Sequence, residues 1–242
     1  MYAIETRGLT KQYKDTLAVD CLELSVKKGE LLALLGVNGA GKTTTVKMLS
    51  CLTRPTEGDA ILNGKSIVKE SGAVKEMIAV SPQETAVAAG LTVRENLAFM
   101  CGIYGLSGEK REEKIAYLAS RFGLDSVMKK KAGKLSGGWC RRLSIAMALI
   151  SEPEILFLDE PTLGLDVLAR SDLWELIGEL KGSMTIILTT HYMEEAEALS
   201  DRVAIMKDGR LLICGTAEEL KNKAGTDRFE EAFVRLVREG TK

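Results

Sequence analysis

The segment that most constrains this chain is Gly36-Val-Asn-Gly-Ala-Gly-Lys-Thr-Thr44, a glycine-rich stretch between two runs of different periodicity. The apolar run Glu30–Leu35 before it predicts a buried strand, and the pattern Thr43–Leu52 after it predicts a helix. A strand, a glycine-rich loop and a helix in this order form a phosphate-binding loop. The chain is therefore expected to adopt an α/β fold that holds a phosphate group where this strand ends.

The residue types in this loop suit a nucleotide phosphate. Glycines leave room for backbone N–H groups to turn inward, and the helix N-terminus adds its positive end. Lys42 is expected to reach the β- and γ-phosphates, and the Thr43 hydroxyl is expected to ligate Mg²⁺. The alternative, an ordinary glycine-rich turn, requires chance agreement at many positions with the right flanks. The predicted nucleotide contacts are Gly36, Val37, Asn38, Gly39, Ala40, Gly41, Lys42, Thr43 and Thr44.

A second candidate group follows another apolar run, Ile155–Leu158, which ends in Asp159 and Glu160. Adjacent carboxylates at the end of a buried strand need a metal, a cation or water, and they are expected at the sheet edge where the phosphate loop lies. Asp159 is predicted to contact Mg²⁺ directly or through a ligand of the ion, and Glu160 to polarise the water that attacks the γ-phosphate. The alternative is a solvated strand end, which leaves the phosphate loop without its acid.

Composition excludes several classes of protein. With 33 Lys+Arg against 34 Asp+Glu, the chain has a formal net charge of −1, which gives no general attraction to nucleic acid or anionic lipid. The local basic patch Lys129–Lys131 is interpreted as a solvated helix end. The apolar runs are far shorter than the about 20 residues of a membrane span. Five widely spaced cysteines and a start without an apolar leader predict a protein of the reducing cytoplasm.

Strand and helix patterns alternate on both sides of a segment, 84–134, that contains helices and no convincing strand. Thr92 and Glu95 form a capping box at the start of one of these helices. We therefore predict an α/β core, 1–83 and 135–215, with a helical insertion between its parts and a short helical tail, 216–242. The predicted strands are Cys21–Val26, Glu30–Leu35, Asp59–Leu62, Met77–Val80, Ile155–Leu158, Met184–Leu188 and Val203–Met206, and the predicted helices are Thr43–Leu52, Thr92–Tyr104, Glu109–Phe122, Trp139–Ile150, Leu168–Leu180, Met193–Leu199 and Phe229–Val237.

A third motif, Leu135-Ser-Gly-Gly-Trp139, lies between the first two, and its Ser136 is 94 positions after Lys42 and 23 before Asp159. Phosphate loop, Leu-Ser-Gly-Gly and paired acids in this order resemble the ATP-binding cassette (ABC) ATPases. The resemblance covers nearly the whole chain. Four further positions are similar to family motifs: Tyr13 to the adenine-stacking aromatic, Gln83 to the Q-loop glutamine, Leu165-Asp166 to the D-loop and His191 to the switch histidine.

The resemblance implies a fold and a set of roles. The fold is a P-loop NTPase core, a mostly parallel sheet flanked by helices with an N-terminal antiparallel β subdomain, plus a helical insertion that carries Leu135–Trp139, all within one cassette. Tyr13 then stacks on adenine, and Gln83 ligates Mg²⁺ or holds the attacking water. His191 stabilises the water and phosphate geometry beside Glu160. Taken singly, a Tyr, a Gln or a lone His is more often structural, and only the order of motifs favours these roles.

The turn formed by Ser136, Gly137 and Gly138 is a second anion-binding element at a helix start. The family solution, which the resemblance implies here, is a head-to-tail dimer in which Ser136 of one subunit caps the γ-phosphate held by the other, with Asp166 also among the nucleotide contacts. The family signature usually reads Leu-Ser-Gly-Gly-Gln, whereas this chain has Trp139. The phosphate-contacting groups are intact, so slow but real ATP hydrolysis is expected.

The run from His191 to Gly209 is similar to cassettes of bacterial export systems. The resemblance thus implies an ATP-hydrolysing subunit that lies on the cytoplasmic face of the membrane, binds ATP and Mg²⁺, and works with separately encoded transmembrane permease subunits and a second cassette. The second cassette is expected to be another copy of this chain, and nucleic acid is not expected as a partner. Two alternatives stay open: a soluble ABC ATPase that acts on nucleic acid or ribosomes, and a weakly hydrolysing, ATP-gated interaction module.

Two apolar helical patterns have more than one interpretation. Leu97, Phe99, Met100 and Ile103 follow the Q-loop glutamine, where transporter cassettes bind a helix of the membrane partner, but most of them are interpreted as helix core. The amphipathic pattern Phe229–Val237 is interpreted as a helix that packs on the core, with a dimer contact as the alternative.

Overall fold

Two β-sheets organise residues 1–239, the part of the chain that the computed structural model describes. The strands are β1 (Tyr2–Tyr13), β2 (Thr16–Leu22), β3 (Ser25–Lys27), β4 (Leu31–Leu35), β5 (Glu57–Leu62), β6 (Lys65–Ser66), β7 (Ile78–Ser81), β8 (Ile155–Asp159), β9 (Thr185–Thr190), β10 (Arg202–Lys207) and β11 (Arg210–Gly215). An antiparallel sheet has the order β2-β1-β5-β6, with β3 beside β1. A larger sheet has the order β11-β10-β4-β9-β8-β7 and is parallel except for β11. The predicted fold class is confirmed.

Helices cover the parallel sheet and fill the segment between its strands β7 and β8. The α-helices are α1 (Lys42–Leu49), α2 (Ser71–Met77), α3 (Val93–Ile103), α4 (Gly108–Arg121), α5 (Gly137–Ala148), α6 (Val167–Gly178), α7 (Met193–Leu199), α8 (Ala217–Ala224) and α9 (Phe229–Glu239). The predicted insertion, 84–134, contains α3, α4 and two short 3-10 helices at Asp125–Val127 and Ala132–Lys134. Within residues 1–239, every helix is too short or too polar to span a bilayer.

The central strands β4, β8 and β9 are buried along their whole length. Their near-continuous apolar runs are typical of parallel strands that have helices or another sheet on both faces. Strand β4 pairs with β9, and β9 pairs with β8, so the carboxyl ends of all three strands meet at one edge of the sheet. That edge carries the phosphate loop after β4, the paired acids at the end of β8 and the histidine that follows β9.

Most predicted elements are present, with shifted ends. Helix α3 has the predicted capping box at Thr92 and Glu95, and α7 has the predicted bounds. Helix α5 begins at Gly137 rather than Trp139, which places the signature glycines in its first turn. The strand predicted at Cys21–Val26 is wrong as a single element, because β2 ends at Leu22 and β3 begins at Ser25, with Cys21 in a left-handed conformation (φ 45°).

Several elements with a short or mixed apolar pattern were not predicted from the sequence. Strand β1 buries only alternate groups of residues and contains Gly8 and several polar side chains. Helix α2 buries Val74 alone, and α8 buries Leu220 alone. Without a repeated apolar position, periodicity gives no signal for such elements. The predicted helix at Phe229–Val237 is present as α9, which buries Phe229, Phe233 and Leu236 against the core; positions 240–242 of the predicted tail lie outside the described residues.

Two interpretations of surface segments have different outcomes. The basic patch Lys129–Lys131 is exposed and follows the end of the 3-10 helix Asp125–Val127, in agreement with a solvated helix end. The interpretation of Leu97, Phe99, Met100 and Ile103 as mostly helix core is wrong. Of these four residues only Leu97 is fully buried, since Phe99 and Ile103 are 59% and 60% exposed and Met100 is half-buried. Alternating burial along an amphipathic helix explains the error: the same apolar composition serves one core face and one open face.

Candidate functional site

The phosphate loop connects β4 to α1 and depends on glycine at two positions. A Cβ at Gly36 would lie 2.5 Å from the carbonyl oxygen of Met206, and one at Gly41 would lie 2.6 Å from that of Ala18. Gly41 also has φ 99°, a conformation that side chains disfavour. At these two positions the backbone of the loop approaches its neighbours so closely that only glycine fits. This compact loop presents its backbone N–H groups at the start of α1.

Lys42 is buried within its own loop. Its Nζ donates hydrogen bonds to the carbonyl oxygens of Gly36 at 2.7 Å and Val37 at 3.3 Å. Burial lowers the pKa of Lys42, while the carboxylates of Glu160 and Asp159 raise it. The ammonium group is thus held beside the acids at the sheet edge, where a phosphate group would compete favourably with the neutral carbonyls for its charge.

Asp159 at the end of β8 faces the first turn of α1. Its Oδ1 lies 3.3 Å from Thr43 Oγ1 and also accepts a hydrogen bond from the hydroxyl of Thr189. Oxygen donors from Thr43 and Asp159 on the same side of the loop are the ligand type that Mg²⁺ prefers. Thr189, the penultimate residue of the buried strand β9, orients the carboxylate and was missed; a polar residue near the end of an apolar strand was its signal.

Glu160 and His191 form a pair beside these groups. Glu160 Oε2 lies 3.3 Å from His191 Nδ1, and both side chains are partly accessible. Glu160 has φ 46°, and its backbone N–H donates to Thr189 Oγ1 at 3.0 Å. The turn out of β8 therefore holds a left-handed conformation that costs free energy in a non-glycine residue. This backbone directs the Glu160 carboxylate to the histidine that follows β9.

A cavity of about 800 Å³ unites most of the predicted site. The cavity is lined by Thr16, Leu17, Ala18, Asn38, Gly39, Ala40, Gly41, Lys42, Thr43, Thr44, Gln83, Glu160, Leu163, His191 and Asp208. Gln83 contributes an exposed side chain from the segment after β7. Tyr13 ends β1, is 43% exposed and pairs with Thr16, but it is absent from this lining, and its role at adenine stays a prediction.

The signature turn Leu135–Trp139 lies outside this cavity. Ser136 and Gly137 are exposed, and a Cβ at Gly138 would lie 3.1 Å from the Cβ of Ala169 on α6. Asp166 caps α6 by accepting a hydrogen bond from the backbone N–H of Ala169 at 2.9 Å. The turn thus packs closely on the start of α6, and the structure does not bring Ser136 to the phosphate loop of its own chain.

Trp139 replaces the usual glutamine with a partly buried indole. The guanidinium of Arg142 lies 5.2 Å from the centre of its ring, and the same guanidinium pairs with Asp172 on α6 at 2.7 Å. The indole also packs against the apolar cluster that surrounds α3, α4 and α5. Trp139 therefore contacts Arg142 within α5, and Arg142 in turn joins α5 to α6, while Ser136 stays exposed.

Arg141 was missed as a functional residue. This side chain is 5% exposed and donates hydrogen bonds of 2.6 Å to the carbonyl oxygens of Pro82 and Gln83. One turn further along α5, the Ser144 hydroxyl hydrogen-bonds that of Ser81 at 3.0 Å. Helix α5 therefore anchors the segment that carries Gln83. The only signal in the sequence was a cation among apolar residues of a helix.

Comparisons with known sequences agree with this geometry. The family model described as ABC transporter matches residues 19–163. The chain is 39% identical to the Probable multidrug ABC transporter ATP-binding protein YbhF of Escherichia coli, over 99% of this chain and 42% of YbhF. It is 42% identical to the daunorubicin/doxorubicin resistance ATP-binding protein DrrA of Streptomyces peucetius, over 93% of this chain and 68% of DrrA. The chain thus spans less than half of YbhF.

Solved structures give the same result. A structure described as the ATP binding subunit of an ABC transporter superposes with a TM-score of 0.85 at 30% identity and covers 97% of this chain and 99% of its own. A dimeric structure of the ATP-binding cassette MJ0796 bound to ADP and Pi gives a TM-score of 0.79 at 26% identity, over 88% of this chain and 98% of that chain. The resemblance inferred from the motifs is confirmed, and the chain belongs to the ABC transporter family.

Proposed function

We propose that this protein is the ATP-hydrolysing, nucleotide-binding subunit of a membrane exporter, in which two associating cassettes drive separate transmembrane subunits. The observation that carries the proposal is the cavity shared by the phosphate loop, Glu160 and His191. One wall offers backbone N–H groups and Lys42, and the other offers a carboxylate beside an imidazole. This combination suits the transfer of a phosphoryl group to water.

The phosphate chain of ATP is proposed to lie along the loop from Gly36 to Thr44, with Lys42 exchanging its carbonyl partners for phosphate oxygens. Thr43, Asp159 and Gln83 are the proposed holders of Mg²⁺, because their oxygen atoms lie on or near this wall. When bound, Mg²⁺ neutralises charge on the phosphate oxygens. Tyr13 is the proposed adenine contact, at the end of the strand that leads to the cavity.

Glu160 is the proposed acceptor of the proton from the water that attacks the γ-phosphate. Its carboxylate lies 3.3 Å from His191 Nδ1. The imidazole can therefore contact both this carboxylate and a phosphate oxygen, and so fix their relative positions. Gln83 lies on the same cavity and is proposed to orient the same water through its amide.

A second copy of the chain is the proposed partner at this site. Ser136, Gly137 and Gly138 present a hydroxyl and backbone N–H groups at the start of α5, but they lie outside the cavity of their own subunit. A head-to-tail dimer brings this turn to the γ-phosphate of the other subunit, where the helix N-terminus favours negative charge. Asp166, next to the turn, is proposed to lie in the same interface. The dimeric MJ0796 structure supports this assembly.

An apolar groove supports a membrane partner. A cavity of about 400 Å³ between the parallel sheet and α3 is lined by Ser50, Leu52, Lys75, Ile78, Ala79, Val80, Pro82, Ala86, Met100, Tyr104, Ser144, Met147 and Ala148. The exposed side chains of Phe99 and Ile103 extend the apolar surface of α3. Such a groove suits an amphipathic helix of a permease, which would hold the cassette on the cytoplasmic face of the membrane. The name of YbhF as a probable multidrug transporter protein and that of DrrA as a drug-resistance protein support export as the direction.

The test is phosphate release from ATP by the purified full chain with Mg²⁺, compared with the Glu160→Gln variant. We expect turnover by the wild type, ATP binding without turnover by the variant, and ATP-dependent dimers of the variant in light scattering. Co-expression with a neighbouring gene product that has membrane spans should bring the cassette to the membrane fraction. Turnover no higher than that of Glu160→Gln, or purification with ribosomes or nucleic acid instead of membranes, would contradict the proposal.

A further inference from the structure

Glu195 on α7 is fully buried, although it lines no part of the ATP cavity. Its Oε1 accepts a hydrogen bond from the indole Nε1 of Trp174 at 3.1 Å. Its Oε2 has no hydrogen-bond partner of normal geometry among residues 1–239. Burial raises the pKa of Glu195, and the nearby hydroxyls of Thr190 and Thr162 lower it. A buried carboxyl group without its full set of hydrogen bonds lowers the stability of the fold. The presence of Glu195 at this position therefore calls for a functional explanation.

Besides Trp174, the neighbours of this carboxyl group include two threonines that lie close in sequence to the proposed catalytic pair. Thr162 follows Glu160 by two residues, and Thr190 directly precedes His191. Thr190 Oγ1 also accepts a hydrogen bond from the backbone N–H of Tyr192 at 2.9 Å, which shapes the turn that holds the histidine. The Glu195 carboxyl group therefore lies between the loop after β8 and the end of β9, where the loop that carries His191 begins.

Helix α6 contacts the histidine segment at a second point. The guanidinium of Arg170 lies 4.6 Å from the ring centre of Tyr192, whose ring is 4.1 Å from that of His191. Arg170 and Trp174 are four residues apart, so they share one face of α6. The same helix thus supports the histidine through Tyr192 and the buried carboxyl group through Trp174.

We propose that Glu195 is a positioning residue for ATP hydrolysis: together with Trp174, it fixes the separation of the loops that carry Glu160 and His191. The inference rests on the proposed function, because the geometry that it maintains is that of the proposed water-activating pair. Glu195 is not among the residues that line the ATP cavity. Its loss is therefore expected to affect the reaction step more than nucleotide binding.

The competing explanation is that Glu195 only stabilises the packing of α6 against α7. That explanation predicts lower melting temperatures with an unchanged reaction rate in the fraction that stays folded. Positioning predicts a fall in kcat at nearly constant KM, and rescue by a side chain that keeps the acceptor for Trp174.

The kinetic experiment compares Glu195→Ala, Glu195→Gln and Trp174→Phe, with Glu194→Ala as the control on the exposed side of the same helix. We expect Glu195→Ala to lower kcat by tenfold to about a hundredfold, since small displacements of reacting groups have effects of this size. Trp174→Phe keeps an aromatic ring without the N–H and should lower kcat about fivefold. Glu195→Gln should restore most of the rate, and the Glu194→Ala control should match the wild type.

A spectroscopic experiment separates this inference from the proposed function. His191 is the only histidine of the chain, so the untagged protein gives one set of imidazole signals in ¹H–¹³C NMR spectra. These signals should shift in Glu195→Ala and Trp174→Phe but not in Glu194→Ala, whether or not the protein hydrolyses ATP. Unshifted signals in both variants, or a KM that rises in proportion to the fall in kcat, would overturn the positioning role. If Glu195→Ala does not fold, Trp174→Phe and Glu195→Gln decide the question.

Discussion

The link between α5 and the Gln83 segment can be tested by the substitution Arg141→Ala. Arg141 is 5% exposed and donates two hydrogen bonds of 2.6 Å, to the carbonyl oxygens of Pro82 and Gln83. Alanine removes both donors and leaves the segment after β7 without its connection to the helix that begins at the signature turn. We expect both lower stability and lower turnover, because Gln83 is then free to leave the cavity.

The size of the stability loss follows from the surroundings of the two carbonyl groups. Hydrogen bonds from a charged donor contribute about 1.5–3 kcal/mol each, which sets an upper limit of about 3–6 kcal/mol for the pair. Pro82 is only partly buried and Gln83 is exposed, so water can replace the lost donors. Burial of the Arg141 guanidinium costs free energy in the folded protein and lowers the pKa of this group. The alanine variant no longer has this cost, which offsets part of the loss. We therefore expect a net loss of about 1–3 kcal/mol in the free energy of unfolding.

Urea unfolding and thermal melts measure this loss. A loss of this size should lower the melting temperature by roughly 2–12 °C for a chain of this length. Arg142→Ala is the matched control, since it removes the neighbouring cation and its pair with Asp172 without touching the Gln83 segment. An Arg141→Ala protein with unchanged unfolding free energy and wild-type turnover would refute the proposed link.

Three further substitutions test the site itself. Glu160→Gln should lower kcat by roughly 10²–10⁴-fold while ATP affinity in calorimetry stays close to the wild type, and a comparable loss of affinity would contradict its role. Gly36→Ala should abolish ATP binding and cost about 1–3 kcal/mol of stability, because the new methyl group meets the Met206 carbonyl at 2.5 Å; normal ATP binding would show that the loop can relax. Trp139→Gln restores the usual family residue and should raise turnover severalfold, while loss of the Arg142 contact lowers stability by about 0.5–1 kcal/mol in urea unfolding; slower turnover would show that the indole assists the reaction.

The features that could be predicted from the sequence are those in which a few neighbouring residues determine both the local structure and its chemistry. The phosphate loop requires glycines between a strand and a helix, and the structure places it there. The same holds for the capping box of Thr92 and Glu95, whose two hydrogen bonds are local. The paired acids Asp159 and Glu160 could be found because a buried strand does not otherwise end in two carboxylates.

The features that could not be predicted depend on contacts between distant parts of the chain. Arg141 contacts residues that are 58 and 59 positions away, and nothing near Pro82 or Gln83 in the sequence marks them as its acceptors. The left-handed backbone of Glu160 arises from hydrogen bonds with Thr189 on a neighbouring strand. Strand β1 forms because β2, β3 and β5 pair with it, although its own pattern is mixed.

Helices α5 and α6 have parallel roles in this arrangement. Each begins at a loop outside the cavity: α5 at the signature turn and α6 at Asp166. Helix α5 contacts the segment that carries Gln83 through Arg141, and α6 contacts Tyr192, next to His191, through Arg170. The two helices are also joined by an ion pair, between Arg142 of α5 and Asp172 of α6 at 2.7 Å. A displacement imposed on either outer turn by a second subunit would therefore reach the proposed water-binding residues through helices rather than through loops. In the proposed dimer, this path would connect the association of the two subunits to hydrolysis.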